Sequence, residues 1–113
     1  MTEADKKSQG RRAIADAFMQ DAQREANHWR SRADFAFEAV YLYALSALAE
    51  QADGYEHPDA RVLPAAAEKL GLTAEQMSPA VEYLEHRYDP AIPDNVSAYH
   101  LLISIAKMLG AER

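Results

Sequence analysis

The chain has 113 residues, enough for one domain with a hydrophobic core, and its formal net charge is −6. It contains no cysteine, which excludes disulfides, thiolate metal ligands and cysteine nucleophiles. The charge is uneven, since residues 1–32 carry seven Lys/Arg and five Asp/Glu, whereas residues 33–113 carry five and thirteen. An acidic body repels the phosphates of nucleic acids and is typical of a solubilised surface.

Residues 1–10 are polar and predict a flexible tail ahead of a single helical domain over residues 11–110. A first helix is predicted over residues 11–29, because apolar residues recur there at helical spacing. Its apolar stripe consists of Ile14, Phe18, Ala22, Ala26 and Trp29. The next helix either continues this one as a rod or follows a short loop with Ser31 as N-cap, and the interrupted apolar rhythm favours the loop.

Residues 33–49 form the most apolar segment, in which only Asp34, Glu38 and Ser46 are polar. A helix that is apolar on all sides is buried, and this one is shorter than the roughly 20 residues that span a membrane. We therefore predict the central helix of a bundle, ending near Gly54, with no membrane association. Its two apolar stripes are Phe35, Ala39, Leu42, Leu45 and Ala49, and Phe37, Val40, Tyr41, Ala44 and Leu48.

A third helix is predicted over residues 59–70, with Pro64 causing a kink or a late start and Gly71 ending it in a Schellman motif. Its buried residues are predicted to be Val62, Leu63, Ala66, Ala67 and Leu70. Thr73 begins a capping-box spacing, which predicts a short turn over residues 73–77.

Ser78 and Pro79 then predict the start of a fourth helix over residues 79–88, followed by a loop over residues 89–94. Asn95 or Ser97 opens a last helix that ends at Gly110. The inward residues of these two helices are predicted to be Val81, Leu84, Tyr88, Leu101, Leu102, Ile105 and Met108 or Leu109. The fold class is therefore all-α, a small bundle of helices around the central one.

No motif for metal binding, phosphate binding or nucleophilic catalysis is present. The histidines His28, His57, His86 and His100 are not spaced as a ligand pair, and no H-E-x-x-H, G-x-x-x-x-G-K or G-x-S-x-G sequence occurs. The sequence therefore predicts no catalytic residue, no metal site and no cofactor.

Residues 62–88 have the rhythm of a helix-turn-helix, with small residues, a Leu-Gly turn and a second apolar helix. The would-be recognition stretch over residues 73–81 contains a glutamate and a proline but no Lys or Arg. Because readers of the major groove present cations and amides to DNA, two core helices joined at a glycine are favoured over a DNA-binding unit, and nucleic acid is not an expected partner.

A polar cluster of His86, Arg87, Tyr88 and Asp89 stands at the predicted end of the fourth helix. The cluster is a candidate polar pocket or partner contact at a helix–loop corner. The alternative is that His86 and Arg87 complement the negative end of the helix dipole.

These features together resemble the HEPN family of helical domains. The resemblance rests on the alanine- and aromatic-rich residues 37–48, on Gly54-Tyr55 followed by His57, and on residues 86–90 followed by Val96-Ser97. It covers about residues 12–110 and implies a four- to five-helix up-and-down bundle that commonly dimerises. Many members are toxin ribonucleases or partners of small nucleotidyltransferases.

The resemblance also bears on catalysis. Catalytic members carry an Arg followed by a His after four to six intervening residues, and the matching positions after Arg87 hold Ile92, Pro93 and Asp94. The leading hypothesis is therefore a non-catalytic, cytoplasmic HEPN-like protein that acts through protein–protein contacts, as a partner of a nucleotidyltransferase or in a toxin–antitoxin-type system. The alternatives are a DNA-binding regulator using residues 62–88 and a degenerate ribonuclease using Arg87 and Tyr88.

A homodimer is predicted, because a small bundle covers only part of the apolar surface of the central helix. The candidate residues of the dimer seam are Trp29, Phe35 and Tyr43, which offer the rigid aromatic area that is enriched at interfaces. The competing possibility is a monomer in which the first and last helices cover both stripes.

Overall fold

A computed structural model describes residues 2–55, 59–87 and 96–111, without the side chains of residues 96–98 and 111. These residues form five α-helices, a 3₁₀ turn, a π-helical turn and no strand, which confirms the predicted all-α bundle. The helices are α1 (Glu3–Ala22), α2 (Trp29–Leu48), α3 (Val62–Leu70), α4 (Ala74–His86) and α5 (Val96–Ala106). The 3₁₀ turn covers Ala49–Gly54 and the π-helical turn covers Lys107–Ala111.

Helix α2 lies at the centre, with α1, α3 and α5 packed against it. Half of its residues are buried, namely Ala33, Ala36, Phe37, Ala39, Val40, Tyr41, Tyr43, Ala44, Leu45 and Leu48. The predicted central helix is therefore confirmed, although Phe35 and Leu42 remain partly exposed. Among the described helices, none is both long and apolar enough to cross a bilayer.

Helix α1 begins at Glu3, which corrects the predicted start at residue 11 and places residues 3–10 in the helix rather than in a tail. The cause is a capping box that the sequence reading missed. The Asp5 amide donates to Thr2 Oγ1 and the Thr2 amide donates to Asp5 Oδ2, both at 3.1 Å. These bonds satisfy two of the amides that a helix start leaves free.

The predicted apolar stripe of α1 is corrected as well. Helix α1 buries Ala15, Met19 and Ala22, whereas Ile14 is 53% exposed. Ala22 is buried as predicted, but Ala15 and Met19, one position beyond Ile14 and Phe18, are buried in their place, so the buried face is rotated towards them.

A loop over residues 23–28 separates α1 from α2, as predicted, but it lies earlier in the chain than expected. His28 replaces Ser31 as the N-cap, because its Nδ1 accepts a hydrogen bond from the Arg30 amide at 3.2 Å. The Arg32 side chain then joins three helices, donating to the Ala22 carbonyl at 2.7 Å and to the Tyr99 hydroxyl at 2.9 Å.

Helix α2 ends at Leu48, six residues before the predicted stop at Gly54. The next residue, Ala49, has a φ of 54°, a conformation that residues with a side chain rarely adopt. The chain therefore leaves the helix at Ala49, and the 3₁₀ turn carries it on to Gly54.

Helix α3 starts late, at Val62, which is one of the two outcomes predicted for Pro64. Pro64 occupies the third helical position, where no intrahelical partner for its missing N–H exists. Gly71 has a φ of 72°, and the Leu72 amide donates to the Ala67 carbonyl at 2.8 Å, which confirms the Schellman stop.

Helix α4 is continuous from Ala74, and the predicted separate helix starting at Pro79 is wrong. The capping box is confirmed, since Thr73 and Gln76 exchange hydrogen bonds of 2.7 and 3.0 Å. Pro79 removes one intrahelical bond, but Met77 and Ala80 on either side of it are buried and hold the helix together. Val81 and Leu84 are only half-buried.

The last helix and its π-helical turn bury Tyr99, Leu102, Ile105, Ala106 and Leu109. Leu101 was predicted to be buried but is 50% exposed, because it lies off this stripe. Gly110 packs so closely on the Tyr43 ring that a Cβ atom would overlap it, and its carbonyl accepts a hydrogen bond from Arg12. The predicted loop 89–94 and the cap at Asn95 lie outside the described residues.

Candidate functional site

A polar cluster joins the first half of α2 to the end of α4. Helix α2 presents Asp34, Phe37 and Glu38, which share one face because they are three and four residues apart. Helix α4 supplies Tyr83, and Arg87 follows one turn later as its C-cap residue. We call these five residues the Arg87 cluster.

Arg87 forms ion pairs with two carboxylates of α2. Its Nη1 lies 3.3 Å from Glu38 Oε1, and its Nη2 lies 3.5 Å from Asp34 Oδ1. Only 9% of the Arg87 side chain is exposed, against 22% for Glu38 and 46% for Asp34. The cation is thus enclosed, while its two anions keep part of their hydration, which reduces the cost of burying the pair.

Two aromatic rings complete the enclosure of Arg87. The guanidinium carbon lies 4.9 Å from the centre of the Phe37 ring and 5.7 Å from that of Tyr83. The two ring centres are 5.2 Å apart. Cation–π attraction at these distances stabilises an arginine that has lost most of its water.

Tyr83 links Asp34 to the buried Phe37 ring. Its hydroxyl donates to Asp34 Oδ1. Burial, followed by the hydrogen bond to Asp34 and the charge of that carboxylate, raises the pKa of Tyr83 well above its ordinary value. The phenol therefore stays protonated at neutral pH and cannot act as a general base. Chemically, the arrangement is suited to fastening the end of α4 to α2.

The predicted polar pocket is divided by the structure. Arg87 belongs to the Arg87 cluster, whereas His86 is exposed and lies 3.8 Å from the carboxylate of its neighbour Glu85. Tyr88 and Asp89 lie outside the described residues. Of the two described members, only Arg87 therefore takes part in a buried polar arrangement.

The sequence reading did not identify Asp34, Glu38 and Tyr83 as partners of Arg87. The sequence does contain an indication of these contacts, because Asp34 and Glu38 are two of the three polar residues in the predicted central helix. The third, Ser46, also has a partner, since its hydroxyl donates to the Ser8 carbonyl at 2.9 Å. Each polar residue inside this apolar helix thus marks a contact with another helix.

The three candidate seam residues differ in exposure. Trp29 is half-buried beside Arg30, whose guanidinium lies 5.7 Å from the ring centre. Phe35 is half-buried and stacks on Phe18 of α1, with ring centres 6.1 Å apart. Tyr43 is only 2% exposed, so the structure places it in the core of the chain rather than on its surface.

Tyr43 is fixed in the core by a second phenol–carboxylate contact. Its hydroxyl donates to Asp16 of α1. Burial and this contact raise the pKa of Tyr43 well above its ordinary value. The residue joins α1, α2 and the Gly110 turn, which explains why a polar aromatic residue occupies the central helix.

The pair of helices α3 and α4 has the connectivity of a helix-turn-helix, with a turn over residues 71–73. Helix α4 carries three glutamates and no Lys or Arg over its whole length. A helix of this charge repels DNA phosphates. Among the described residues, no group of three potential metal-ligating side chains comes together.

No protein-family model matches the chain. No curated protein and no solved structure shows significant similarity to it. The resemblance to HEPN domains therefore depends on the sequence motifs alone, and a function must be argued from the geometry.

Proposed function

We propose that this chain is a non-catalytic, HEPN-like helical protein that acts through protein–protein contacts, with a homodimer as its basic unit. Two features support the proposal. Arg87 contacts other residues of the fold rather than solvent, and apolar side chains stay partly exposed along one side of the α1–α2 hairpin. A protein partner of the nucleotidyltransferase type would bind this unit.

The environment of Arg87 favours a structural role over catalysis. A ribonuclease of the HEPN type needs an arginine that can reach a phosphate and a base or acid that can move a proton. Here the guanidinium faces Asp34 and Glu38, and both of these anions repel phosphate. His86, at the adjacent position, is exposed, and its Nε2 lies 3.8 Å from a Glu85 carboxylate oxygen.

The surface that we propose for protein–protein contact lies on the α1–α2 hairpin. Ile14, Phe18 and Phe35 form what we call the seam patch. Phe18 and Phe35 stack on each other and both stay partly exposed. Ile14 precedes Phe18 by one helical turn and is 53% exposed. Partly exposed aromatic side chains beside an aliphatic one are typical of interface cores.

A second copy of the chain is the proposed occupant of the seam patch. The patch lies on a hairpin of two long antiparallel helices, since Phe18 meets Phe35 and Ser8 meets Ser46. Two such hairpins can pack around a two-fold axis, so that each patch covers the other. The proposed dimer seam therefore differs from the one predicted from the sequence. Phe35 remains in it, whereas Trp29 lies at one end of the hairpin and Tyr43 is buried in the core of the chain.

Ile14→Glu and Leu101→Glu form a matched pair of variants that tests the proposal. Both residues are large, aliphatic and about half exposed, but only Ile14 belongs to the seam patch. Light scattering in the micromolar range should give twice the 12.6 kDa of one chain for the wild type and Leu101→Glu, and one chain mass for Ile14→Glu. Circular dichroism of both variants checks that the fold is kept. A monomeric wild type, or an Ile14→Glu variant that stays dimeric, would contradict the proposal.

A further inference from the structure

The face of α1 that carries Ile14 also carries a charge on each side of it. Lys7, Ile14 and Asp21 are spaced seven residues apart, which is about two helical turns, so they lie nearly in one line along the helix. Ile14 and Lys7 are about half exposed, and Asp21 is partly exposed. This face therefore presents a cation, an apolar centre and an anion in that order and at equal spacing.

Lys7 and Asp21 are too far apart to pair within one chain. Residues 7 and 21 are separated by about 21 Å along the helix axis, whereas an ion pair needs its charges within about 4 Å. Lys7 Nζ instead lies 3.4 Å from Asp53 Oδ2, which also has Arg11 nearby. Asp21 Oδ1 lies 3.7 Å from Arg24 Nη2. Exposed pairs of this kind contribute little to stability, so both charges can contact another molecule at little cost.

Two small residues border Ile14 on one edge of the same face. Gly10 and Ala17 are seven residues apart, and both are exposed. A Cβ atom at Gly10 would have no neighbour within 4 Å and Gly10 has no positive φ, so nothing in the described part of the chain requires glycine there. Glycine weakens a helix interior relative to alanine. Without bulky side chains at these two positions, another helix can approach the backbone of α1 closely.

We propose that two copies of the chain pack with their α1 helices antiparallel, across a two-fold axis beside Ile14. The arrangement rests on the dimer proposed above and specifies how its two copies are oriented. An antiparallel pairing reverses the order of residues, so each residue before Ile14 meets one that follows Ile14 in the other copy. Lys7 then lies opposite Asp21 of the second copy. Gly10 likewise lies opposite Ala17 of the second copy, where both are small enough for close approach.

The charges on this face select the antiparallel direction. Ile14 can meet Ile14 of the second copy in either direction, so the apolar contact alone selects neither. A parallel pairing would place Lys7 against Lys7 and Asp21 against Asp21, and like charges across an interface are unfavourable. The antiparallel pairing instead forms the contact between Lys7 and Asp21 twice, by symmetry. Phe18, one turn after Ile14 on the edge that faces α2, stays within the contact.

Exchanging the two charges tests the arrangement. In Lys7→Glu, like charges face each other at two symmetric places, so the dissociation constant of the dimer should rise about tenfold or more at low salt. Adding Asp21→Lys to this variant should bring the dissociation constant back to within about threefold of the wild type. Because residues 7 and 21 cannot meet within one chain, such a recovery requires contact between copies. Light scattering over a dilution series measures all three proteins.

Lys69→Glu is the matched control. It changes the net charge by the same amount, but Lys69 is an exposed residue of α3 and does not lie on the proposed contact face. Its dimer should dissociate with the same constant as the wild type. An effect seen in Lys7→Glu alone then comes from the position of the charge and not from the net charge.

Gly10→Gln tests the close approach separately from the charges. A side chain has room at this position within one chain, and glutamine favours a helix more than glycine does, so circular dichroism should show at least the helix content of the wild type. The added bulk between the two α1 helices should nevertheless raise the dissociation constant about tenfold or more.

Three results would overturn the antiparallel arrangement while the dimer itself stands. They are equal effects of Lys7→Glu and Lys69→Glu, a double variant that does not recover, and a Gly10→Gln dimer as tight as the wild type. A monomeric wild type would contradict the dimer and the arrangement with it. Failure of the arrangement and failure of the proposed function therefore give different results.

Discussion

Two ion-pair clusters, one near each end of α2, have similar distances between their charges but differ in their exposure to solvent. At the first half of the helix, Arg87 lies 3.3 and 3.5 Å from Glu38 and Asp34. Just beyond the other end, Asp53 lies 3.4 Å from both Lys7 and Arg11. The distances are nearly equal, but the shared group of the first cluster is 9% exposed and that of the second is 55% exposed.

The comparison shows that burial, rather than distance, decides what an ion pair does in this fold. Around Arg87, two aromatic rings exclude water, so the charges interact in a low-dielectric environment. Around Asp53, water and salt reach the pair and its attraction is weak. The first cluster therefore holds the end of α4 firmly on α2, whereas the second adds only a weak, solvent-screened contact between the first turns of α1 and the 3₁₀ turn.

The largest expected effect comes from removing the ring beneath Arg87. Phe37→Ala should lower the free energy of unfolding by about 3–5 kcal/mol, because Phe37 is fully buried and its loss leaves a cavity. Denaturant titration with circular dichroism measures the loss. A cost below about 1 kcal/mol would show that the ring is not part of the core.

Substitution of Arg87 should have the next largest effect. Arg87→Ala leaves two partly buried carboxylates without their cation and should cost about 2–3 kcal/mol. Arg87→Lys keeps the charge but loses the planar fork and the ring contacts, and should recover only part of this stability. Thermal melts of the wild type, Arg87→Ala and Arg87→Lys rank the three proteins by stability. A lysine variant as stable as the wild type would mean that the charge alone matters.

Much of the fold could be predicted because its signals are local. The Gly71 stop and the Thr73–Gln76 capping box each depend on a few neighbouring residues, and both are confirmed. The burial of the central helix follows from its composition alone. The predicted start of α1 is wrong, because the polar composition of residues 1–10 hides the capping-box spacing of Thr2 and Asp5.

The candidate site could be predicted only in part, because it is formed by residues distant in sequence. Arg87 was identified, but its partners Asp34 and Glu38 stand 49 or more residues away and their pairing depends on tertiary packing. Tyr43 was placed on the surface because its aromatic character suits an interface. The structure buries it through Asp16 and Gly110, and no local pattern predicts that contact.

Alkaline pH should destabilise the folded protein. Tyr83, Tyr43 and Tyr41 all have pKa values raised by burial from the ordinary value of 10.0. Their protonated forms stabilise the fold fully below pH 10, and this stability is lost as the pH rises above it, since the unfolded chain releases protons first.

A titration of tyrosinate absorbance, followed in parallel with circular dichroism, measures this effect. Ionisation of the three buried phenols should coincide with loss of helicity. Tyr83→Phe should remove its share of the alkaline destabilisation. Ionisation of all six tyrosines near pH 10 in the folded protein would contradict the burial of these hydroxyls.

The central claim is that the Arg87 cation serves the fold and not a substrate, and incubation of the purified protein with total RNA tests it most directly. We predict that the RNA stays intact with and without magnesium, because Arg87 faces two carboxylates and its raised-pKa neighbour Tyr83 supplies no base. Cleavage by the wild type that disappears in a folded Arg87→Lys variant would contradict the account and favour a ribonuclease.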